Sequence, residues 1–172
     1  MSRSLESFVP RRTFTVPQPH SFTWFPGHML TGLRSLASTI SDIDLIIETR
    51  DARIPLSSRN PYLYDVCGNK RRLVLYNKHD LAGLSRRETE MILSWHTRPE
   101  EVVFTNVPNQ HDIRRLVYKM RDVAEELNRP EGMKSIIIGM PNTGKSTMLN
   151  VIRNIATERK GLLFYLQALI SR

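Results

Sequence analysis

A single cysteine, Cys67, stands in the 172 residues, so an internal disulfide framework is excluded and no cysteine-based metal cluster can be assembled. It reads as a small buried apolar group rather than a nucleophile. Acids are also in short supply, with 17 Asp and Glu against 25 Lys and Arg and a formal net charge of +8. That balance favours a polyanionic partner, either RNA or an anionic membrane surface. Long hydrophobic runs are missing too. The longest, Leu162 to Ile170, is interrupted by Gln167 and is too short for a spanning helix, so no transmembrane segment is expected. Internal repeats and low-complexity tracts are absent. What remains is an ordinary globular composition, 40% hydrophobic and 24% charged, in a chain long enough for one domain with its own core.

Residues 1–19 form a leader that holds Arg3, Arg11 and Arg12 with one acid, Glu6. This composition fits a mitochondrial presequence without a clear amphipathic helix, and a disordered leader of a cytosolic protein would share it. An aromatic junction, F-T-W-F-P-G-H-M at 22–29, precedes Leu30, Leu33, Ala37 and Ile40, whose spacing predicts a helix over 29–40. Apolar runs at 43–48, 72–76, 101–105 and 134–138 read as buried strands. Between the first two lies D-A-R-I-P-L-S-S-R-N-P, whose two prolines forbid a regular helix. Ser85 and Glu88 make a capping box for a helix towards Trp95. Asn109 caps a second helix, with Ile113, Leu116, Val117, Met120, Val123, Ala124 and Leu127 in register. Strands alternating with helices predict an α/β fold with a mostly parallel sheet.

Two motifs carry chemistry. Gly139, Gly144, Lys145 and Ser146 complete G-x-x-x-x-G-K-[ST] between a strand and a helix. Such a loop turns backbone N–H groups towards phosphates, and the helix that follows adds its positive end. Lys145 would bridge the terminal phosphates and the Ser146 hydroxyl would ligate Mg²⁺, with Asn142, Thr143 and Thr147 beside them. The second motif is Asn77-Lys78-His79-Asp80 at the end of a strand. The Asp80 carboxylate can accept from guanine N1–H and the exocyclic amine, a donor pair that adenine lacks. Asn77 would contact guanine N7 or tie the motif to the phosphate loop, and the Lys78 stem would cover the ring. Thr105 and Asn106 stand at the next strand end, the place where GTP-binding proteins usually put a backbone N–H that reads guanine O6, and a plain strand terminus is the alternative.

The phosphate loop follows the base-reading motif, the reverse of the usual GTPase order. Four segments in sequence, W-F-P-G-H-M, D-A-R-I-P-L-S-S-R-N-P, Y-N-K-H-D and G-M-P-N-T-G-K-S-T, resemble the circularly permuted GTPases of ribosome assembly. The branch is that of the mitochondrial ribosome-associated GTPase and its bacterial counterpart. The resemblance covers roughly 20–152 and implies a circularly permuted P-loop GTPase fold, a GTP/GDP site and a GTPase activity by family. It implies a role for His28 in hydrolysis; a histidine packed on Trp24 and Phe25 is the alternative. It further implies a K⁺ ion held partly by Asn142, and a role in assembly of the mitochondrial large ribosomal subunit with rRNA contact. The implied location is the matrix or the matrix side of the inner membrane, with peripheral membrane association. Asp51, Ala52 and Arg53 match the family's D-A-R element, and a salt-bridged loop anchor is the plain reading of the two charges.

After Asn150 the resemblance stops. Residues 151–172 contain no aspartate, and so no D-x-x-G, and no switch threonine is recognised there. The expected organisation is a leader at 1–19, a partial GTP-binding domain at 20–150 and an atypical tail at 151–172, as in a truncated or alternatively spliced product. GTP binding is then expected without the elements that couple it to turnover. The strand at 134–138 would become an edge, its isoleucines presented to solvent or covered by the tail, with low solubility as the result. Two other functions compete. One is an ATP-dependent enzyme with the same loop, against which N-K-H-D argues. The other is a non-catalytic RNA- or ribosome-binding module with a degenerate nucleotide site.

Overall fold

The computed structural model describes residues 27–98, 101–107, 109–128, 132–158 and 164–168. The leader expected at 1–19 and the aromatic positions Trp24 and Phe25 lie outside them. The chain begins with α1 (Gly27–Thr39) and a single 3₁₀ turn, then β1 (Leu45–Asp51), α2 (Pro61–Cys67) and β2 (Arg72–Asn77). Next come a short α3 (His79–Ala82), α4 (Arg86–Ser94), β3 (Val102–Phe104) and α5 (Gln110–Leu127). The described part closes with β4 (Met133–Gly139), α6 (Lys145–Glu158) and β5 (Phe164–Ala168).

All strand pairs are parallel, in the order β3-β2-β1-β4-β5. The chain leaves β1 towards β2 and β3, then returns to place β4 on the other side of β1. The crevice between the carboxyl ends of β1 and β4 is therefore the point where winding reverses, which is where parallel α/β sheets bind ligands. One face is covered by α5 and α6, which bury Leu45, Ile47, Leu75, Ile137, Leu116 and Met148 together. The other face has two smaller clusters. Leu36, Ile46, Leu63, Cys67 and Ile136 pack where α1 and α2 lie, and Val74, Tyr76, Ile92 and Val102 pack with α4. Cys67 is a buried core residue as expected, and burial pushes its thiol pKa up.

The caps follow the sequence closely. Ser85 and Glu88 make both bonds of the capping box on α4, and Asn109 accepts from the His111 N–H at the start of α5. The loop at 51–60 holds no regular helix, as expected, but a helix not anticipated starts at its far end: Pro61 occupies the first helical position, where its missing N–H costs nothing, and Asn60 caps it through the Tyr62 N–H at 3.1 Å. Two expectations need correction. β1 runs on to Asp51, since its polar residues alternate across two covered faces rather than ending the strand. Finally β4 is not an edge. The tail supplies β5, paired from Met133↔Phe164 to Ile137↔Ala168, and Ile136, Ile137 and Ile138 are buried. The exposed edge on which low solubility was expected is thus paired. Among the described residues no helix is long and apolar enough to cross a membrane.

Candidate functional site

The two motifs, some sixty residues apart in sequence, meet at the carboxyl ends of β2 and β4, and Asn77 is the joint. Its side chain is buried; Nδ2 donates to the Thr143 carbonyl at 2.9 Å, and Oδ1 accepts from the Val107 N–H at 3.2 Å. The Thr105 hydroxyl donates to the same oxygen at 3.5 Å. One amide therefore fixes the phosphate loop, the base-reading segment and the loop after β3 against each other. Of the two roles open to Asn77, the tie to the loop of 139–146 is the one its amide makes here.

Lys78 makes a second clasp. It adopts a left-handed backbone (φ 60), and its ammonium donates to the Asn142 carbonyl at 2.6 Å and pairs with Asp51 at 3.0 Å. Asp51 also holds Arg53, through the Arg53 N–H and guanidinium at 2.8–3.0 Å. The D-A-R element is thus a salt-bridged anchor, and it is anchored to the base-reading motif. The Arg53 and Lys78 bonds outweigh burial and hold the Asp51 carboxyl well below the usual range. The sign follows: that contribution to stability is present above about pH 4, the unfolded value, and fades as pH falls through the depressed folded one.

The phosphate loop has the shape its glycines dictate. Gly139 (φ 147) backs onto β1 so closely that a Cβ would stand 2.2 Å from the Thr49 carbonyl oxygen. At Gly144 (φ 93) a Cβ would stand 2.4 Å from Asn77 Nδ2. Asn142, at φ 62, turns the loop between them. The Thr143 hydroxyl donates to the Met140 carbonyl at 2.9 Å, and the Lys145 ammonium reaches that carbonyl at 2.7 Å. Lys145 is buried at the start of α6, which pushes its pKa down, so a phosphate arriving there meets a desolvated cation. Ser146 and Thr147, next on the helix, are exposed. Gly144→Ala should therefore push the Asn77 amide off both of its partners. We expect at least a tenfold loss of nucleotide affinity and about 1–3 kcal/mol of stability, read by calorimetry and thermal melting. An unchanged nucleotide affinity would show that this approach is not needed.

Asp80 lies in the first turn of α3 and is exposed. Thr105 is fully buried and its N–H bonds the Tyr76 carbonyl. The Asn106 N–H bonds the Asp112 carboxylate at 3.0 Å, so the two backbone N–H groups expected to read guanine O6 are both engaged inside the protein, and that expectation is corrected. His28 is in the first turn of α1, and its side chain lies outside the described residues.

Sequence reasoning missed a buried polar network on the face of the sheet opposite α5 and α6. Glu48 and Arg50 alternate along β1 and pair at 2.8 Å, both nearly inaccessible. Arg50 donates to the Tyr76 hydroxyl at 2.9 Å and to the Tyr64 hydroxyl, and Arg72 reaches Glu48 at 3.4 Å. Tyr76 and His96 share a hydrogen bond at 3.1 Å. Burial opposes the Arg50 charge, but Glu48 and the two tyrosines outweigh it and raise its pKa. Burial, then Arg50, lowers that of His96. The one signal available in the sequence was the alternation E-T-R-D within an otherwise apolar strand.

The arrangement joins the glycine loop of 139–146 by a buried amide to the N-K-H-D turn of 77–80, at the carboxyl ends of a parallel sheet. No family model matches the chain. Known proteins do resemble it: mitochondrial ribosome-associated GTPase 1 of Xenopus tropicalis is 33% identical over 160 residues, 90% of this chain and 51% of that protein. Mitochondrial GTPase 1 of Schizosaccharomyces japonicus is 36% identical over 161 residues, 80% of this chain and 48% of its own length. Ribosome biogenesis GTPase A of Bacillus cereus is 33% identical over 143 residues, 77% of this chain and 48% of that protein.

The chain belongs to this family of ribosome-associated GTPases.

It spans about half the length of the relatives it matches. Within that span the inverted motif order is that of a circularly permuted GTPase. The permutation leaves the pocket whole because each motif hangs from its own strand end, and the strands meet through the sheet rather than through the chain.

Proposed function

We propose that this chain binds guanine nucleotides and acts, as a GTPase-family protein, in assembly of the mitochondrial large ribosomal subunit. The observation that carries the first half is the Asn77 bridge to Thr143, which sets a guanine-selective turn at a fixed distance from a phosphate loop. In this reading Asp80 reads the guanine edge, the Lys78 stem lies over the ring, and Gly139, Thr143, Gly144 and Lys145 cradle the phosphates. Ser146 and Thr147 are the hydroxyls beside them, Ser146 for Mg²⁺. A bound Mg²⁺ would neutralise phosphate charge and fix its geometry. The residues fit that role, since the Ser146 hydroxyl is exposed at the start of α6, directly after the buried ammonium of Lys145. Asn142, turned outward on the loop, is our candidate for holding K⁺, and His28 our candidate for a part in hydrolysis.

The relatives' names, and the net charge of +8, support the second half. Mitochondrial location, the matrix side of the inner membrane with peripheral association, and contact with rRNA of the large subunit all belong to this proposal. The non-catalytic reading, an RNA- or ribosome-binding module with a degenerate nucleotide site, predicts no nucleotide preference at all. Competition against a fluorescent GDP analogue separates the two. GDP and GTP should displace it at least a hundredfold better than ADP and ATP. Equal displacement by the adenine nucleotides would sink the guanine assignment.

A further inference from the structure

Two members of the buried network, Arg50 and Tyr64, line a groove that the candidate nucleotide site does not use. Two cavities of about 430 and 420 Å³ share Tyr64, His96 and Thr97, so they form two lobes of one depression between α2 and the segment after α4. Each lobe is the size that holds a small ligand. One is lined by Arg50, Arg59, Tyr64 and Trp95, the other by Lys70, Arg71, Arg72 and Arg98. Among the described lining residues Glu101 is the single carboxylate. Part of this charge is already balanced, since Arg71 and Arg98 both approach Glu101, Arg71 also pairs with Glu126, and Arg72 reaches Glu48. The groove as a whole stays positive.

Its walls are also flat. The Tyr64 ring carries the Arg72 guanidinium at 4.1 Å and that of Arg59 at 4.5 Å, and Arg59 is itself exposed. Trp95 lines the same lobe and is 45% exposed, a large apolar surface to leave in water beside a cluster of cations. An acidic peptide would satisfy the charge and leave these planes unused. A single-stranded nucleic acid uses both, stacking its bases on aromatic and guanidinium planes while its phosphates meet the cations.

We propose that this groove binds a short single-stranded RNA segment, one base stacked in the lobe of Trp95 and Arg59 and the adjoining phosphates drawn along Lys70 and Arg72. The choice of RNA over DNA rests on the ribosome-associated reading above; the place rests on the groove alone. Binding of fluorescein-labelled hexaadenylate to the full chain, followed by anisotropy with saturating GDP present, tests it. Saturable binding should weaken about tenfold in Trp95→Leu. In Arg59→Ala it should weaken several-fold, and the slope of log affinity against log salt should fall by about 0.7, one phosphate contact. Arg115→Ala, on α5 across the sheet, should keep both affinity and slope within error. In a Trp24→Phe chain, where Trp95 is the remaining tryptophan, the RNA should quench its fluorescence, and inorganic polyphosphate should not. Equal losses in the Arg59 and Arg115 variants, markedly weaker RNA binding with saturating GDP than without it, or equal quenching by polyphosphate would each overturn the proposal. None of these outcomes bears on the guanine preference, which the nucleotide competition tests separately.

Discussion

Asp80→Asn is expected to cost the chain its guanine nucleotides and give it xanthine nucleotides instead. A carboxylate accepts two hydrogen bonds, one from the guanine N1–H and one from the exocyclic amine. An amide in its place turns one acceptor into a donor, which faces the guanine amine donor to donor and leaves both unpaired. Xanthine carries a carbonyl where guanine carries the amine, so the same amide donor finds an acceptor. Sites built on such pairings discriminate by large factors because the wrong partner strands a desolvated polar group. We expect GDP affinity to fall by roughly two to three orders of magnitude, with XDP becoming the better ligand. Because Asp80 is exposed, the melting temperature of the free protein should barely move, which separates a lost contact from a lost fold. Wild-type GDP affinity in the variant would show that Asp80 does not read the base.

Glu48→Ala should be the most damaging single change to stability among the described residues considered above. Glu48 and Arg50 are 1% and 4% exposed at the side chain, so removing the carboxylate strands a guanidinium that water cannot reach. Breaking a buried pair from one side costs about 3–5 kcal/mol, which in a chain of this size lowers the melting temperature by roughly 10 °C or more. The tyrosine hydroxyls that also hold Arg50 are neutral and cannot replace the missing charge. Replacing both ends, Glu48→Met with Arg50→Leu, should recover much of the loss, because the cost lies in the uncompensated charge rather than in an indispensable bond. A double variant no more stable than Glu48→Ala would mean that the pair contributes net stability of its own. The change should reach the nucleotide site as well, since Arg50 is followed directly by Asp51, whose carboxylate holds Lys78.

The elements that were legible in the sequence are those whose signals are local. The capping box at Ser85 and Glu88, the Asn109 cap and the helical register from Ile113 to Leu127 each lie within a few residues, and each appears where its pattern put it. The helix at Pro61 was not legible from its proline alone. That residue stops a helix from inside and starts one from its first turn, and only the Asn60 cap distinguishes the two. β1 was cut short for a related reason. Glu48 and Arg50 look like the polar end of a buried strand until their pairing with each other and with Tyr76 makes them interior residues. The tail after residue 150 offered no family pattern to read, yet its apolar run supplies β5, because an open strand edge accepts main-chain bonds from a segment of almost any sequence.

By itself the sequence determined the motifs on offer: a G-x-x-x-x-G-K-S loop between strand and helix, an N-K-H-D turn, their inverted order and a basic surplus. Those are properties of short segments, and short segments carry their own backbone preferences. Tertiary structure alone decided what the residues do to one another. It gave Asn77 to the phosphate loop, turned Lys78 onto Asp51 and Asn142, and buried Glu48 with Arg50. It also gathered the cations and aromatic residues from β1, α2, β2 and the segment after α4 into a groove. The physical reason is register. Parallel strands pair residues that are far apart in the chain, and which side chains then share a desolvated space depends on an alignment that no local pattern encodes.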